Sequence, residues 1–296
     1  EALEGLDMAA ELNTNIIIVV NDNQMSIAEN HGGLYKNLQL LRETNGGAQC
    51  NLFKAMGLDY VYVGEGNNVK ALVEAFQKVK DTTRPVVVHI NTVKGKGYLP
   101  AEHNQSVWHA PGCFNPDTGE RISAPADAAR YQDVFGETIL ELARVDDRIV
   151  GITPAMPTGC SLNRMMAEMP ERCFDVGIAE GHAVTFSAGL AAAGMIPFCN
   201  IYSSFMQRAY DHMIHDVAIQ RLPVIFCLDR AGLVGEDGVT HHGVFDLAFM
   251  RSVPNMTIAA PANEAELKEM MYTALLSGVP FAIRYPRGRG IGGDWS

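Results

Sequence analysis

Residues 198–229 read FCNIYSSFMQRAYDHMIHDVAIQRLPVIFCLD, and the pattern of apolar residues in this segment indicates the fold class of the chain. Two short apolar runs, 198–202 and 224–229, have the length and composition of buried β-strands. Residues 206–220, between them, carry apolar side chains at helical spacing. A strand, a helix and a second strand in succession are typical of a parallel sheet with helices packed against it.

The same alternation extends over most of the 296 residues. We therefore predict an α/β fold with two mostly parallel sheets, each covered by helices on both faces. The other predicted strands are 15–20, 59–63, 85–92, 148–153, 174–177, 257–260 and 281–285, and the other predicted helices are 2–12, 69–80, 132–144, 162–168, 182–193 and 264–277.

The periodicity disappears between about residues 110 and 130. Pro111-Gly112, the stretch NPDTG at 115–119 and Ser123-Ala-Pro125 are typical of turns and linkers. We therefore predict one domain over 1–110, a linker over 111–130 and a second domain over 131–296.

Composition narrows the class of protein. The net charge of −11 argues against nucleic acid or an anionic membrane as a partner, because phosphate-rich surfaces repel such a field. No apolar run approaches the ~18 residues that a membrane span needs, so we expect a soluble cytoplasmic protein. The six cysteines lack zinc-type spacing, and we interpret them as reduced core thiols.

Three segments of the second half contain most of the candidate catalytic and binding residues. Asp175-Val-Gly-Ile-Ala-Glu-Gly-His182 places a carboxylate where an apolar helix begins, and Tyr202-Ser-Ser-Phe-Met-Gln-Arg208 places aromatic side chains near an arginine. Residues 229–243, DRAGLVGEDGVTHHG, add an arginine, acids and two histidines in a glycine-rich loop. This set of side chains suits an anionic substrate handled by acid/base chemistry.

A resemblance to a known family follows from the order of these motifs. The chain resembles the 1-deoxy-D-xylulose-5-phosphate synthases, a transketolase-like family that depends on thiamine diphosphate. The motifs that carry the resemblance are NDNQMSI at 21–27, KGKGY at 94–98, PAE at 100–102 with His109, AEGHAVT at 179–185, YSSFMQR at 202–208, DRAG at 229–232 with His241, and RYPRG at 284–288.

The resemblance implies that residues 1–110 are the later part of a pyrophosphate-binding domain and that 131–296 form a pyrimidine-binding domain. It also implies that the chain is a fragment, with a Gly-Asp-Gly cofactor motif expected before Glu1 and a third domain expected after Ser296.

The resemblance assigns Mg²⁺ and cofactor ligands to the first half. Asn23 and the backbone carbonyl of Met25 match the family's ligands of the Mg²⁺ that bridges the cofactor diphosphate, and oxygen ligands suit this hard cation. Read from the residues alone, Asn21-Asp-Asn23 is a polar turn after a strand. We expect Lys94, in the turn that follows the predicted strand 85–92, to lie near the diphosphate.

Glu180 matches the glutamate that hydrogen-bonds the aminopyrimidine ring in this family. Its place before an apolar helix predicts poor hydration, which disfavours the charged carboxylate and lets the acid share a proton. The alternative is a helix N-cap carboxylate. The family usually has Gln where Gly181 stands, so local packing or a hydrogen bond is expected to differ here.

The resemblance places Phe205 on the pyrimidine ring, and Arg230 and Arg287 on the phosphate of glyceraldehyde 3-phosphate. Tyr202, Arg208 and Asp237 are expected nearby. From the residues alone, an aromatic at position 205 is more often an apolar core residue, and Arg208 is equally a partner of Asp211 within its own helix.

The histidines divide into two groups. His109 and His241 match family positions implicated in proton transfer around the carbonyls. His212 and His215 stand three residues apart on one predicted helix, but no third ligand supports a metal site there, and we interpret them as packing or surface residues.

The implied reaction is the condensation of pyruvate with D-glyceraldehyde 3-phosphate to 1-deoxy-D-xylulose 5-phosphate and carbon dioxide, catalysed by a homodimer in the full-length form. In this family the product feeds isoprenoid, thiamine and pyridoxal synthesis. Two alternatives remain open. One is another transketolase-like transferase or the β-type component of a 2-oxoacid dehydrogenase, and the other is an inactive fragment that acts only as a binding module.

Overall fold

Two α/β units make up the chain in this computed structural model, which describes residues 2–26, 29–122 and 128–295. Unit 1 comprises residues 1–123 and unit 2 comprises residues 124–296. Ile27 of the first motif and residues 123–127 of the predicted linker lie outside the described residues.

Unit 1 contains a three-stranded parallel sheet in the order β1-β3-β2. Val19 and Val61 both pair with Val88, so the three strands are in close register. One face of β3 packs with α4, and Val87 on the other face packs with α2 and α3. The elements are α1 (Ala2–Leu12), β1 (Ile17–Asp22), α2 (Gly33–Glu43), α3 (Leu52–Ala55), β2 (Asp59–Val63), α4 (Val69–Val79), β3 (Val86–Asn91) and α5 (Leu99–His103).

Unit 2 contains a six-stranded parallel sheet in the order β5-β4-β6-β7-β9-β8. Its helical elements are α6 (Tyr131–Val145), α7 (Asn163–Glu168), α8 (Glu180–Ala192), α9 (Tyr210–His212), α10 (Asp246–Met250) and α11 (Glu264–Ser277). Its strands are β4 (Ile149–Thr153), β5 (Cys173–Asp175), β6 (Ile196–Tyr202), β7 (Ile225–Asp229), β8 (Thr257–Ala259) and β9 (Phe281–Arg284).

Helices cover both faces of the unit 2 sheet. Phe198 and Ile225 point to one face and pack with α6, α7 and α11, whereas the adjacent residues Cys199 and Phe226 point to the other face and pack with α8 and residues 205–218. This is the arrangement expected when strands read as continuous apolar runs. The prediction of parallel sheets with helices on both faces is confirmed.

The strand order of unit 2 reverses at β4. The chain passes from β4 to β5 on one side and then returns to β6 on the other side of β4. Ligands of open parallel sheets bind outside the carboxyl ends of the strands at such a reversal. Tyr202 and Asp229, the last residues of β6 and β7, lie at the carboxyl edge of the sheet.

Several predicted elements need correction. Helices α2, α3, α5 and α10 were not predicted, because each is short or lacks an extended apolar stripe. The predicted helix over 206–220 is a 3₁₀ turn (Phe205–Ala209), the α-helical turn α9 and a π-helical turn (Met213–Ala218) in succession. The β-branched run at 15–20 favours a buried strand, yet β1 is an edge strand of the unit 1 sheet in which Val19 is 46% exposed.

The cysteine interpretation is partly wrong. Cys160, Cys173, Cys199 and Cys227 are buried, but Cys50 and Cys113 are exposed. All six are free thiols. Among the described residues, no helix is long and apolar enough to cross a membrane.

Candidate active site

Asn23 and Met25 lie in the loop that follows β1, and this loop holds its own shape. Oδ1 of Asn23 accepts a hydrogen bond from the backbone N–H of Met25 at 3.0 Å. Between them, Gln24 has a φ of 66°, a left-handed conformation that costs a non-glycine residue free energy. Strained loops of this kind cluster at functional sites.

A buried polar network fixes the start of the loop. Asp22 is 4% exposed, forms an ion pair with Arg42, and lies 2.9 Å from Nε2 of the fully buried His89. Nδ1 of His89 in turn lies 2.7 Å from the hydroxyl of Tyr60. Burial alone would raise the pKa of Asp22, but the hydrogen bonds from His89 and Arg42 outweigh burial and hold it below its usual value. A charged Asp22 therefore anchors the loop, and its Oδ1 accepts the N–H of Gln24 at 3.2 Å.

Lys94 reaches the same loop from the far end of β3. Its Nζ donates a hydrogen bond to the backbone carbonyl of Ser26. Burial lowers the pKa of Lys94, and burial together with the Lys94 charge lowers the pKa of His109. The structure thus brings Lys94 to the loop that carries Asn23 and Met25, and the charge of Lys94 acts on His109.

The donor set of this neighbourhood fits part of a magnesium diphosphate site. Asn23 and Met25 border a cavity of about 560 Å³. They offer an amide and a carbonyl oxygen, which are ligand types that Mg²⁺ accepts, and Lys94 offers a cation suited to a diphosphate. No group of three or more His, Cys, Asp or Glu residues suited to a metal ion occurs in the described part of the chain. Phosphate oxygens or water would have to complete the coordination.

In unit 2, Glu180 is the first residue of α8 and is 4% exposed. The predicted burial is confirmed. The N-cap alternative is wrong, since Ala179 occupies the cap position and no side chain caps the helix.

Arg208 supplies the partner of this buried carboxylate. Its Nη1 lies 2.5 Å from Oε1 of Glu180. The alternative pairing with Asp211 is wrong, because Asp211 instead pairs with His215 at 2.9 Å. The tight turn at 205–209 directs Arg208 towards α8 rather than along its own helix.

Aromatic rings link this ion pair to the rest of the site. The guanidinium of Arg208 lies 5.2 Å from the centre of the Phe205 ring. Phe205 stacks on Tyr202 with ring centres 5.5 Å apart and meets His241 edge-on at 5.1 Å. Phe205 is partly buried and packs against the core, as its interpretation as an apolar core residue predicts, and stacking on a pyrimidine ring stays a prediction.

Arg230 continues the row on the other side of Tyr202. Its guanidinium lies 4.1 Å from the Tyr202 ring centre, close enough for a cation–π contact. Arg230 has a φ of 59°, which is rare for a bulky residue and is held here by a buried side chain. Its Nη1 donates to the carbonyl of Gly159 at 2.9 Å and to Oδ2 of Asp229 at 2.8 Å.

Asp237 bridges the two arginines expected to bind phosphate. Its Oδ2 lies 2.8 Å from Nε of Arg287 and 3.9 Å from Nε of Arg230. Glu236 adds a second carboxylate, with Oε2 at 3.0 Å from Nη2 of Arg287. Three buried atoms lie at the centre of this group: Nε of Arg230, Nε of Arg287 and Oδ2 of Asp237. None of them makes a well-directed hydrogen bond. This leaves donors able to turn towards an anion.

The eight predicted residues of unit 2 therefore form one continuous row. It runs from Glu180 through Arg208, Phe205 and Tyr202 to Arg230, Asp237 and Arg287, with His241 beside Phe205.

Sequence reasoning missed four members of this site. The position of Asp229, between an apolar run and Arg230, could have indicated that it belongs to the site. Glu236 could have been included because it is adjacent to the predicted residue Asp237. Gly159 and Gln132, which both accept from Arg230, gave no signal because they lie in distant, unremarkable stretches.

Comparison with known protein families assigns most of the chain. A model described as transketolase, pyrimidine binding domain, matches residues 127–290. A model described as 1-deoxy-D-xylulose-5-phosphate synthase matches residues 1–51 and 41–92.

Several known proteins with similar sequences are named 1-deoxy-D-xylulose-5-phosphate synthase. The chain is 49% identical to 1-deoxy-D-xylulose-5-phosphate synthase of Bacteroides fragilis, over 99% of this chain and 52% of that protein. It is 48% identical to the synthase of Bacteroides thetaiotaomicron over 99% and 52%, and 46% identical to synthase 1 of Geobacter sulfurreducens over 98% and 51%. The chain thus spans about half the length of the curated relatives it matches.

The relatives also have residues that this chain lacks within the matched stretch. The alignment with the Bacteroides fragilis protein is 334 residues long, more than the 296 residues of this chain. The two overlapping matches of the second family model meet at residues 41–51, which is where α2 ends and α3 begins. We infer that the α2–α3 connection is shortened here.

Two solved structures share the fold. Transketolase from Leishmania mexicana matches with a TM-score of 0.52 at 18% identity, over 99% of this chain and 54% of that chain. Transketolase from Campylobacter jejuni matches with a TM-score of 0.50 at 17% identity, over 98% and 56%.

Proposed function

We propose that this chain, which belongs to the transketolase-like family of 1-deoxy-D-xylulose-5-phosphate synthases, carries active-site residues of an enzyme that joins pyruvate to D-glyceraldehyde 3-phosphate, giving 1-deoxy-D-xylulose 5-phosphate and carbon dioxide. The observation that carries the proposal is the continuous row from a buried acid, Glu180, to a pair of arginines, Arg230 and Arg287. Thiamine diphosphate, when bound, would supply the electron sink for decarboxylation.

Glu180 is proposed to hydrogen-bond the aminopyrimidine ring of the cofactor. Its burial at the start of α8 keeps water from the carboxyl group, and Arg208 balances its charge. Phe205, whose ring centre lies 5.2 Å from the guanidinium of Arg208, offers an aromatic surface for a flat heterocycle.

Arg230 and Arg287 are proposed to hold the phosphate of the aldehyde substrate. A guanidinium presents its donors in a fork that matches phosphate oxygens. Asp237 keeps the two side chains within reach of one anion, because it contacts both. Tyr202, stacked between Phe205 and Arg230, separates the ring end of the row from the phosphate end.

His109 and His241 are proposed to move protons at the substrate carbonyls. His241 lies against Phe205, next to the proposed ring site. Burial lowers the pKa of His109, which favours the neutral imidazole that a base requires.

Asn23 and Met25 are proposed as ligands of Mg²⁺, with Lys94 near the cofactor diphosphate. We further propose residues 1–110 as part of the pyrophosphate-binding domain, 111–130 as a linker and 131–296 as the pyrimidine-binding domain. The complete protein is proposed to be a cytoplasmic homodimer whose product feeds isoprenoid and thiamine synthesis. The family resemblance supports these points.

The relatives' shared name favours the synthase over ketol transfer or a 2-oxoacid dehydrogenase component. To test the proposal, the protein is incubated with thiamine diphosphate, Mg²⁺ and carboxyl-labelled pyruvate, with and without D-glyceraldehyde 3-phosphate. We expect labelled carbon dioxide and the five-carbon product only when both substrates are present, and a large loss in Glu180→Gln.

Three results would contradict the proposal. Carbon dioxide release without the aldehyde would favour a dehydrogenase-type component. Product from a ketose phosphate in place of pyruvate would favour ketol transfer. Phosphosugar binding without turnover, unaffected by Glu180→Gln, would favour a binding module.

A further inference from the structure

The imidazole of His212 lies where a side chain at position 181 would have to be. A β-carbon added at Gly181 would lie 2.7 Å from Cε1 and 2.9 Å from Nε2 of His212. Real β-carbons do not approach other atoms this closely, so the imidazole occupies the volume that a side chain at position 181 would fill. Glycine at the second residue of α8 is therefore a condition for the present position of His212.

This contact belongs to a polar seam between α8 and residues 205–218. Arg208 contacts Glu180, His212 contacts Gly181, and Asp216 accepts a hydrogen bond from the hydroxyl of Thr185 at 2.5 Å. These contacts place the side chains at positions 208, 212 and 216 along the side of the segment that faces α8. His212 thus lies in the middle of the seam, one turn from the partner of Glu180.

An imidazole at this point is costlier to bury than an apolar side chain of the same size. The side chain is partly buried, and its Nδ1 is a buried atom without a hydrogen-bond partner. An unpaired polar atom costs stability that an apolar side chain of similar size would not cost. His215, three residues later, is 62% exposed and pairs with Asp211, so the two histidines have different environments.

We propose that His212 is a positioning residue for Glu180. Its ring rests on the backbone of Gly181, holds the first turn of α8 in place, and so keeps the neighbouring carboxylate directed towards Arg208. Gly181 and His212 act as a size-matched pair, in which neither residue is replaceable alone. This inference rests on the proposed role of Glu180, but it is tested without cofactor or turnover, so its failure is distinguishable from failure of the proposed reaction.

The first test compares two glycines of the same helix. Gly189 has no atom within 4 Å of an added β-carbon, so Gly189→Ala should raise the melting temperature by about 2 °C, as alanine does in helix interiors. Gly181→Ala should instead lower it by about 2 °C or more. The double variant Gly181→Ala/His212→Ala should recover most of that loss. Stabilisation by Gly181→Ala alone would overturn the size-matched pair.

The second test measures the NMR signal of the Glu180 carboxyl group, which depends on the surroundings of that group. In protein labelled with ¹³C at glutamate carboxyl groups, the Glu180 signal is assigned by its loss in Glu180→Gln. We expect His212→Ala to shift this signal, His212→Gln to restore it in part, and the control His215→Ala to leave it unchanged. An unmoved signal in His212→Ala, or an equal shift in His215→Ala, would overturn the positioning role.

Discussion

Arg208 and Glu180 form an ion pair of unequal partners: Nη1 of Arg208 lies 2.5 Å from Oε1 of Glu180, yet the glutamate side chain is 4% exposed and the arginine side chain is 53% exposed. The carboxylate is buried and depends on the guanidinium, whereas the arginine side chain remains about half exposed to water. Removing one partner should therefore not have the same effect as removing the other.

Arg208→Ala should lower the free energy of unfolding by about 1–3 kcal/mol, because it leaves a buried acceptor unpaired. Glu180→Gln in the Arg208→Ala background should recover part of this loss, since a neutral amide is less costly to bury. Urea denaturation measures both values. The exposed Arg251→Ala serves as control and should change stability by less than about 0.5 kcal/mol. A loss in Arg251→Ala as large as that in Arg208→Ala would show that the ion pair is not the cause.

Arg287→Ala should weaken the binding of phosphate. Its guanidinium contacts Asp237 and Glu236 and is proposed to turn to the substrate phosphate. Loss of one arginine at an anion site should raise the Kd for D-glyceraldehyde 3-phosphate about tenfold, which corresponds to about 1.4 kcal/mol. Titration calorimetry gives the Kd, and non-phosphorylated glyceraldehyde shows whether the phosphate is responsible.

Arg289→Ala is the matched control for this experiment. Arg289 lies two residues further along the same loop and donates to the carbonyl of Ala128 instead of an acid. Its removal should leave phosphate binding unchanged. Equal weakening in both variants would point to general electrostatic attraction rather than a specific site.

The sequence predicted the sheet architecture well, because the strands of unit 2 are continuous apolar runs separated by helical periodicity. The segment 205–218 was harder to predict. Its apolar spacing indicated one regular helix, whereas the fold tightens its first turn and widens its last. This change of helix type follows from packing against α8, which a local pattern does not encode.

The sequence predicted the environment of a site residue where that environment follows from a local motif. It did not predict the environment where the hydrogen-bond or ion-pair partner is distant in sequence. The burial of Glu180 followed from its place before an apolar helix. Its partner Arg208 lies 28 residues away, and the local alternative Asp211 satisfied the same spacing rule. The acceptor Gly159 lies 71 residues from Arg230, so only the folded chain brings them together.

Cysteine reactivity should divide the six thiols into two groups. Cys50 and Cys113 are exposed and should react with a small alkylating reagent in the folded protein. Burial raises the pKa of Cys160, Cys173 and Cys199 to about 12 and also raises that of Cys227, so these four should react only after unfolding. Intact-mass spectrometry should show two additions in buffer and six in urea. More than two additions in buffer would contradict the packing described for unit 2.

Asp229 should give the stability of unit 2 a distinct pH dependence. Burial raises the pKa of Asp229 from 3.8 to about 6, despite the hydrogen bonds and charge from Arg230. The folded state therefore binds the proton more tightly than the unfolded state does. For a raised pKa, the stabilising contribution is fully present below the unfolded value and is lost as the pH rises through the folded value.

The stability difference between the native chain and Asp229→Asn isolates this contribution from those of other carboxylates. It should fall as the pH rises from 4 to 7, by about 3 kcal/mol for a shift of roughly two units. Urea denaturation at a series of pH values measures it. Asp147→Asn, at an exposed position of the same unit, should give a difference that is nearly flat over this range. A difference that rises with pH for Asp229→Asn would mean that Arg230, and not burial, dominates the carboxyl group at the end of β7.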